Sequence, residues 1–120
     1  MASSTRSTRL SVSASLSTHV LDATSGTPAV GMRVRLFHPE KGEISTATTD
    51  GDGRIGEVVP GPIDPGVYRL SFDTGDYFEA TSTPSFYPEV SISFTVTDPD
   101  AHYHVPLLLS PFSYSTYRGS

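Results

Sequence analysis

The sequence contains no cysteine, and it has no long apolar run. The lack of cysteine excludes a disulfide scaffold, a thiolate metal site and a cysteine nucleophile, and it leaves the redox compartment undetermined. No segment approaches the roughly 20 apolar residues that a membrane-spanning helix needs, so we expect no membrane partner. Basic residues are also few, with 8 Lys and Arg against 13 Asp and Glu and a formal charge of -5. Because they form no cluster, we expect no nucleic-acid partner.

A length of 120 residues predicts a single domain. Ten glycines and ten prolines are scattered through the chain, which disfavours long helices and indicates an all-β class. The first fifteen residues are rich in Ser and Thr, and we expect residues 1–15 to be a disordered leader before a domain over 16–120. A transit peptide is the alternative, whereas a secretory signal would need an apolar core that is missing.

Alternating apolar residues predict the strands of this domain. The clearest case is Val90–Val96, in which Val90, Ile92, Phe94 and Val96 are expected to face the core. The same period predicts strands at Leu16–Leu21, Met32–His38 and Ile44–Thr49, and a further strand carrying Tyr68, Leu70 and Phe72. Residues 74–80 lack this period and follow a capping Asp73 or Thr74, so we predict one short helix there. Seven or eight strands separated by turns are typical of a β-sandwich.

The segment Thr49–Glu57, TDGDGRIGE, predicts a tight hairpin turn, because Asp-Gly pairs favour the positive φ of such turns. A calcium loop is a weaker interpretation, since the flanking acidic positions hold Thr48 and Val59. Arg54 follows the turn directly. Its guanidinium is either a solvated strand-end group or a planar fork of donors held ready for a carbonyl or carboxylate.

The last nineteen residues, His102–Ser120, hold the densest set of reactive side chains. His102 and His104 are two apart on a predicted strand and therefore share a face. Tyr114–Arg118 is predicted as the last strand, whose tip reaches a protected place. With His19, the two histidines could form a three-histidine zinc site. The cationic Arg54 and Arg118 argue against zinc, because they suit an anionic substrate instead.

Two stretches, LSTHVLDATSGTPA at Leu16–Ala29 and YHVPLLLSPFSYSTYRGS at Tyr103–Ser120, closely resemble the transthyretin-like family. The resemblance extends over residues 16–120. The YRGS ending is similar to the family's hydrolases of 5-hydroxyisourate and differs from transthyretin, the hormone carrier. The resemblance implies a transthyretin-like β-sandwich of two four-stranded sheets with one short helix.

The resemblance also implies an activity, the hydrolysis of 5-hydroxyisourate to 2-oxo-4-hydroxy-4-carboxy-5-ureidoimidazoline in urate catabolism, without a cofactor or metal. By motif, the catalytic residues would be His19, Arg54 and His104, and the substrate-binding residues Tyr117, Arg118 and Ser120. His104 is the candidate base that activates water, with Arg54 as the clamp on the substrate and His102 as a supporting residue.

The family pattern further implies a homotetramer, a dimer of dimers with the sites at an interface, in which each site draws on more than one chain. The alternative function is a carrier that binds a small aromatic ligand without chemistry. We expect a cytoplasmic protein, and the peroxisome is the alternative compartment.

Overall fold

The computed structural model describes residues 14–120, which fold into two β-sheets and one helix. The strands are β1 (Ser15–Asp22), β2 (Thr27–Pro28), β3 (Arg33–His38), β4 (Gly42–Thr48), β5 (Arg54–Ile55), β6 (Gly66–Phe72), β7 (Val90–Val96), β8 (His102–Ser110) and β9 (Ser113–Thr116), and helix α1 (Thr74–Glu79) follows β6. The predicted leader lies outside the described residues except for Ala14, which is buried, and Ser15, which begins β1.

The first sheet has the strand order β2-β1-β8-β9, and β5 also pairs with β1. The second sheet has the order β4-β3-β6-β7. All pairs are antiparallel except β1 with β8, which run parallel from Ser15 opposite His102 to Asp22 opposite Leu109. The predicted pair of sheets and the single helix are confirmed. The first sheet has five strands instead of four, because the chain crosses from β4 in the second sheet and the short β5 then pairs with β1.

The core lies between the inner faces of the two sheets, as the alternation predicts. Its largest fully buried side chains include Leu16, Val34, Leu36, Leu70, Phe72, Val90, Val96 and Leu107. Each such side chain stabilises the fold by about 1.5–3 kcal/mol relative to an exposed one. Ile92 and Phe94 share the inward face of β7 but are only half-buried, since β7 is the edge strand of the second sheet.

Helix α1 begins after Asp73, as predicted, but the Asp73 carboxylate does not cap it. Instead its two oxygens accept hydrogen bonds from Nε of Arg33 at 3.1 Å and from Nη2 of Arg35 at 2.6 Å. Both arginines lie on the face of β3 opposite Val34 and Leu36, which is the polar face that the sequence predicts. Asp73 thus ties the helix to the outside of the second sheet.

The final strand ends at Thr116, so the prediction of a strand extending to Arg118 is wrong at its end. The register that pairs Leu107 with Thr116 also pairs His104 with Gly119, and it places Pro106 opposite Tyr117. Proline has no N–H to donate, which interrupts the ladder at that point. The chain then returns to β8, because the Gly119 N–H donates to the His104 carbonyl at 2.8 Å.

Candidate functional site

The outer face of the first sheet, the face turned away from the core, brings the two predicted catalytic histidines together. His19 alternates with the buried Leu16, Thr18 and Val20 on β1 and therefore points outward, as the sequence predicts. His104 alternates with buried residues on β8 in the same way. Ser17 lies opposite His104 and His19 opposite Pro106, so the two histidines are two residue pairs apart on adjacent strands and share one face.

Arg54 joins this face because β5 pairs with β1 and sets Arg54 opposite His19. The tight turn predicted before Arg54 is present, but the prediction of a hairpin is wrong, because β4 before it belongs to the second sheet and β5 after it to the first. In this turn, Asp50 Oδ1 accepts hydrogen bonds from the backbone N–H of Asp52 at 2.8 Å and of Arg54 at 3.0 Å. These two bonds are the main reason that the pKa of Asp50 is lowered. The carboxylate that a calcium ion would need therefore stabilises the turn itself.

Gly53 fixes the distance between this turn and β1. Its φ is +73°, and a Cβ at this position would lie 2.5 Å from the Val20 carbonyl oxygen. The Val20 N–H donates to the Gly53 carbonyl at 2.8 Å, which ties the turn to the strand. Among residues 14–120, no acceptor lies within hydrogen-bond distance of the Arg54 guanidinium. The turn thus presents an unpaired cation beside His19.

The His104 ring is held from two sides. Ser17 Oγ lies 2.8 Å from its Nδ1, and the backbone of Gly119 lies so close to Cδ2 that a Cβ on residue 119 would overlap the ring. In the described part of the chain, Nε2 of His104 has no hydrogen-bond partner. The His104 imidazole therefore presents Nε2 outward as its free ring nitrogen.

The pKa of His104 is lowered, chiefly by burial and then by the nearby charges of Arg54, His102 and His19. A hydrogen bond with Ser17 opposes this shift and is the smallest contribution. Both burial and cationic neighbours disfavour the imidazolium form. At neutral pH the ring is therefore uncharged and able to accept a proton.

The C-terminal tail divides the remaining predicted residues between two faces. Tyr117 lies opposite Pro106 on the outer face and is 59% exposed, and Ser120 follows Gly119 beyond the His104 ring. Arg118 points the other way, with its guanidinium 4.5 Å above the centre of the Tyr103 ring. A cleft of about 320 Å³ is lined by His104, Tyr117 and Arg118, whereas neither His19 nor Arg54 lines it. Within one chain, Arg118 thus shares a cleft with His104 and is separated from His19 and Arg54.

Both ring nitrogens of His102 form hydrogen bonds with serines that were not predicted as site residues from the sequence. Its Nδ1 lies 2.6 Å from Ser15 Oγ, and its Nε2 lies 2.8 Å from Ser17 Oγ. Among residues 14–120, no three His, Cys, Asp or Glu side chains converge in a way that could hold a metal ion. The serines share the outward face of β1 with His19, which is the one signal in the sequence that could have found them.

Comparison with known proteins places the chain among a defined set of relatives. Residues 16–119 match the model of the HIUase/Transthyretin family. A Mus musculus protein named 5-hydroxyisourate hydrolase is 48% identical over 114 residues, which cover 90% of this chain and 97% of the relative.

Solved structures agree with this match. The structure of Klebsiella pneumoniae 5-hydroxyisourate hydrolase is similar with a TM-score of 0.81 at 36% identity, and covers 89% of this chain and 94% of that one. Transthyretin from Sparus aurata is similar with a TM-score of 0.79 at 33% identity, and covers 87% of this chain and 95% of that one. The fold is thus common to a 5-hydroxyisourate hydrolase and to transthyretin.

Proposed function

Because the chain belongs to the HIUase/transthyretin family, we propose that it is an enzyme that hydrolyses 5-hydroxyisourate in urate catabolism. The observation that carries this proposal is the unpaired Arg54 beside His19 and the uncharged His104 on one open face. A planar, acidic, carbonyl-rich substrate needs a cation to orient it and a base to activate water. The same three side chains would be out of place in an apolar channel that only carries an aromatic ligand.

In the proposed reaction, Nε2 of His104 removes a proton from a water molecule, whose oxygen bonds to the carbonyl carbon of the six-membered ring. The carbon–nitrogen bond of that cyclic amide breaks, and the proton passes to the leaving nitrogen. Arg54 holds the carbonyl-rich edge and stabilises the negative oxygen that forms during the attack. His19 orients the water or shares the proton.

We also propose that the site is completed in a homotetramer, a dimer of dimers. The outer face around His19 and His104 carries exposed apolar groups, including Leu108 and Tyr117, that a second chain would cover. Arg118 and Ser120 would then serve a site at the interface. Dilution below the dissociation constant of the tetramer should lower the specific activity, and a specific activity independent of concentration through dissociation would contradict a shared site.

A spectrophotometric decay assay with freshly generated 5-hydroxyisourate tests the activity. His104→Asn should lower kcat by about 10²- to 10⁴-fold, the usual contribution of a general base. His38→Asn is the matched control, since His38 lies at the end of β3 in the second sheet. Within residues 14–120 its ring accepts hydrogen bonds only from the backbone N–H groups of Glu40 and Lys41, and it packs edge-on against Tyr68. Decay at the uncatalysed rate with pure, tetrameric wild type would overturn the hydrolase and favour the carrier.

A further inference from the structure

Four side chains on the outer face form an unbroken chain of hydrogen bonds, which we call the Ser–His chain. It runs from Ser15 Oγ to His102 Nδ1 at 2.6 Å, from His102 Nε2 to Ser17 Oγ at 2.8 Å, and from Ser17 Oγ to His104 Nδ1 at 2.8 Å. Ser15 and His102 lie at its exposed end, and Ser17 is buried at 8% exposure. The parallel pairing of β1 with β8 alternates the serines with the histidines.

With both rings neutral, two arrangements remain in which the buried Ser17 hydroxyl donates one of its two hydrogen bonds and accepts the other. Each hydroxyl has one proton to donate, and each neutral imidazole carries a proton on one of its two nitrogens. Every bond is satisfied if all protons point from His104 towards Ser15, or if all point from Ser15 towards His104. In the first arrangement Nε2 of His104 is a bare acceptor, whereas in the second it carries the proton.

We propose that Ser17 and His102 are positioning residues that hold His104 in the first arrangement, with its proton on Nδ1 and its Nε2 free to accept one. The inference rests on the proposed function, in which Nε2 is the base. The hydrogen bond at one ring nitrogen of a histidine decides which nitrogen is protonated. Here Ser17 accepts from Nδ1 and passes its own proton to His102, which donates in turn to Ser15.

The surroundings of His104 are compatible with this direction. Arg54 from β5, His19 from β1 and His102 from β8 are the charged or titratable groups that act on its ring, and the tail contributes the uncharged backbone of Gly119. Because Ser15 is at the exposed end, its hydroxyl proton can be donated to water after it accepts from His102. The Gly119 backbone against Cδ2 prevents the ring from turning away from Ser17.

The first test is independent of activity. Long-range ¹H–¹⁵N NMR of the wild-type protein labelled at histidine should show His104 with a protonated Nδ1 and a bare Nε2. Ser17→Ala should shift the His104 signals towards protonation at Nε2, and Ser17→Thr, which keeps the hydroxyl on a strand position, should preserve the wild-type pattern. A wild-type ring protonated at Nε2, or a pattern unchanged in Ser17→Ala, would overturn the proposal.

The second test separates positioning from binding. Ser17→Ala should lower kcat about tenfold, a part of the 10²- to 10⁴-fold that a general base supplies, and leave KM within about twofold. Ser17→Thr should restore kcat. His102→Asn should also lower kcat, while Ser15→Ala should have the smallest effect, because water can replace Ser15 at the exposed end. A loss confined to KM, or no rescue by threonine in a folded protein, would contradict the positioning role.

The two tests also distinguish this inference from the proposed function. If the wild type fails to hydrolyse 5-hydroxyisourate, the NMR pattern of His104 and its response to Ser17→Ala still decide whether the Ser–His chain sets the tautomer. If the wild type is active but Ser17→Ala changes neither kcat nor the ¹⁵N pattern, only the role of the Ser–His chain is overturned.

Discussion

Replacing Gly119 by alanine tests directly whether the tail positions the base. A Cβ on residue 119 would overlap Cδ2 of His104 and would lie 3.2 Å from its Cγ, so the ring or the tail must move. The φ of Gly119 is not in the left-handed region, unlike that of Gly53, so alanine adds bulk without backbone strain. The conflict is therefore a pure contact between the new methyl group and the ring.

The overlap in Gly119→Ala can be relieved by a movement of the tail or of the ring, and both movements disturb the site. If the tail lifts, the hydrogen bond from the Gly119 N–H to the His104 carbonyl is lost, at a cost of about 0.5–1.5 kcal/mol. If the ring turns, its bond to Ser17 is lost and Nε2 is displaced. A displacement of about 1 Å can lower the rate by about 10²-fold. We therefore expect Gly119→Ala to lower kcat by one to two orders of magnitude and to unfold at slightly lower urea concentration.

The matched control is Gly56→Ala, because a Cβ at Gly56 meets nothing within 4 Å and its φ is not in the left-handed region. This variant should retain the wild-type rate of 5-hydroxyisourate decay. Wild-type turnover by Gly119→Ala, together with unchanged ¹⁵N signals of His104, would refute the conclusion that the tail holds the ring.

Three further perturbations follow from individual contacts. The lowered pKa of His104 keeps its ring uncharged at pH values below the ordinary pKa of about 6.5, so kcat/KM should fall only at more acidic pH. Arg54→Gln removes a cationic cause of that shift and should move the NMR titration of His104 to higher pH. An unchanged titration would contradict this effect of Arg54 on His104. Asp73→Asn weakens the contacts with Arg33 and Arg35 and should lower the free energy of unfolding in urea by about 1–3 kcal/mol without changing kcat. A lower kcat would instead show that the second sheet influences the site. Gly53→Ala brings a Cβ against the carbonyl oxygen of Val20 and should lower both the stability of the fold and kcat/KM. Wild-type kinetics in this variant would show that the turn does not position Arg54.

Local pattern was sufficient to predict most of the fold. The alternation in Val90–Val96 and in Met32–His38 identifies strands and their inward faces, and the Asp-Gly pairs identify the turn before Arg54. Each of these signals depends on neighbours within a few residues. The end of β9 was not predicted correctly, because it depends on Pro106, which is distant in sequence and lies opposite Tyr117 only in the folded sheet.

The candidate site is the part of the structure that local sequence patterns predict least well. His19 and His104 could be assigned to outward faces, but the contact of Ser17 with His104 joins residues 87 apart in the chain and depends on a parallel register. Gly119 could not be identified for the same reason, because only the folded chain brings the His104 ring against this glycine. The face of Arg118 likewise follows from the register of the tail and not from its neighbours.

The position of the candidate site supports the proposal that a second chain completes it. His19, Arg54 and His104 lie on the outer face of a sheet, whereas a reaction that depends on an uncharged base and an oriented cation is favoured where water is excluded. The inner face of that sheet packs against the core, whereas the outer face leaves Leu108 and Tyr117 exposed. A second chain laid over this face would bury Leu108 and Tyr117, lower the local dielectric around Arg54 and further favour the neutral form of His104. Assembly would then create the solvent-shielded environment that the single sheet cannot provide.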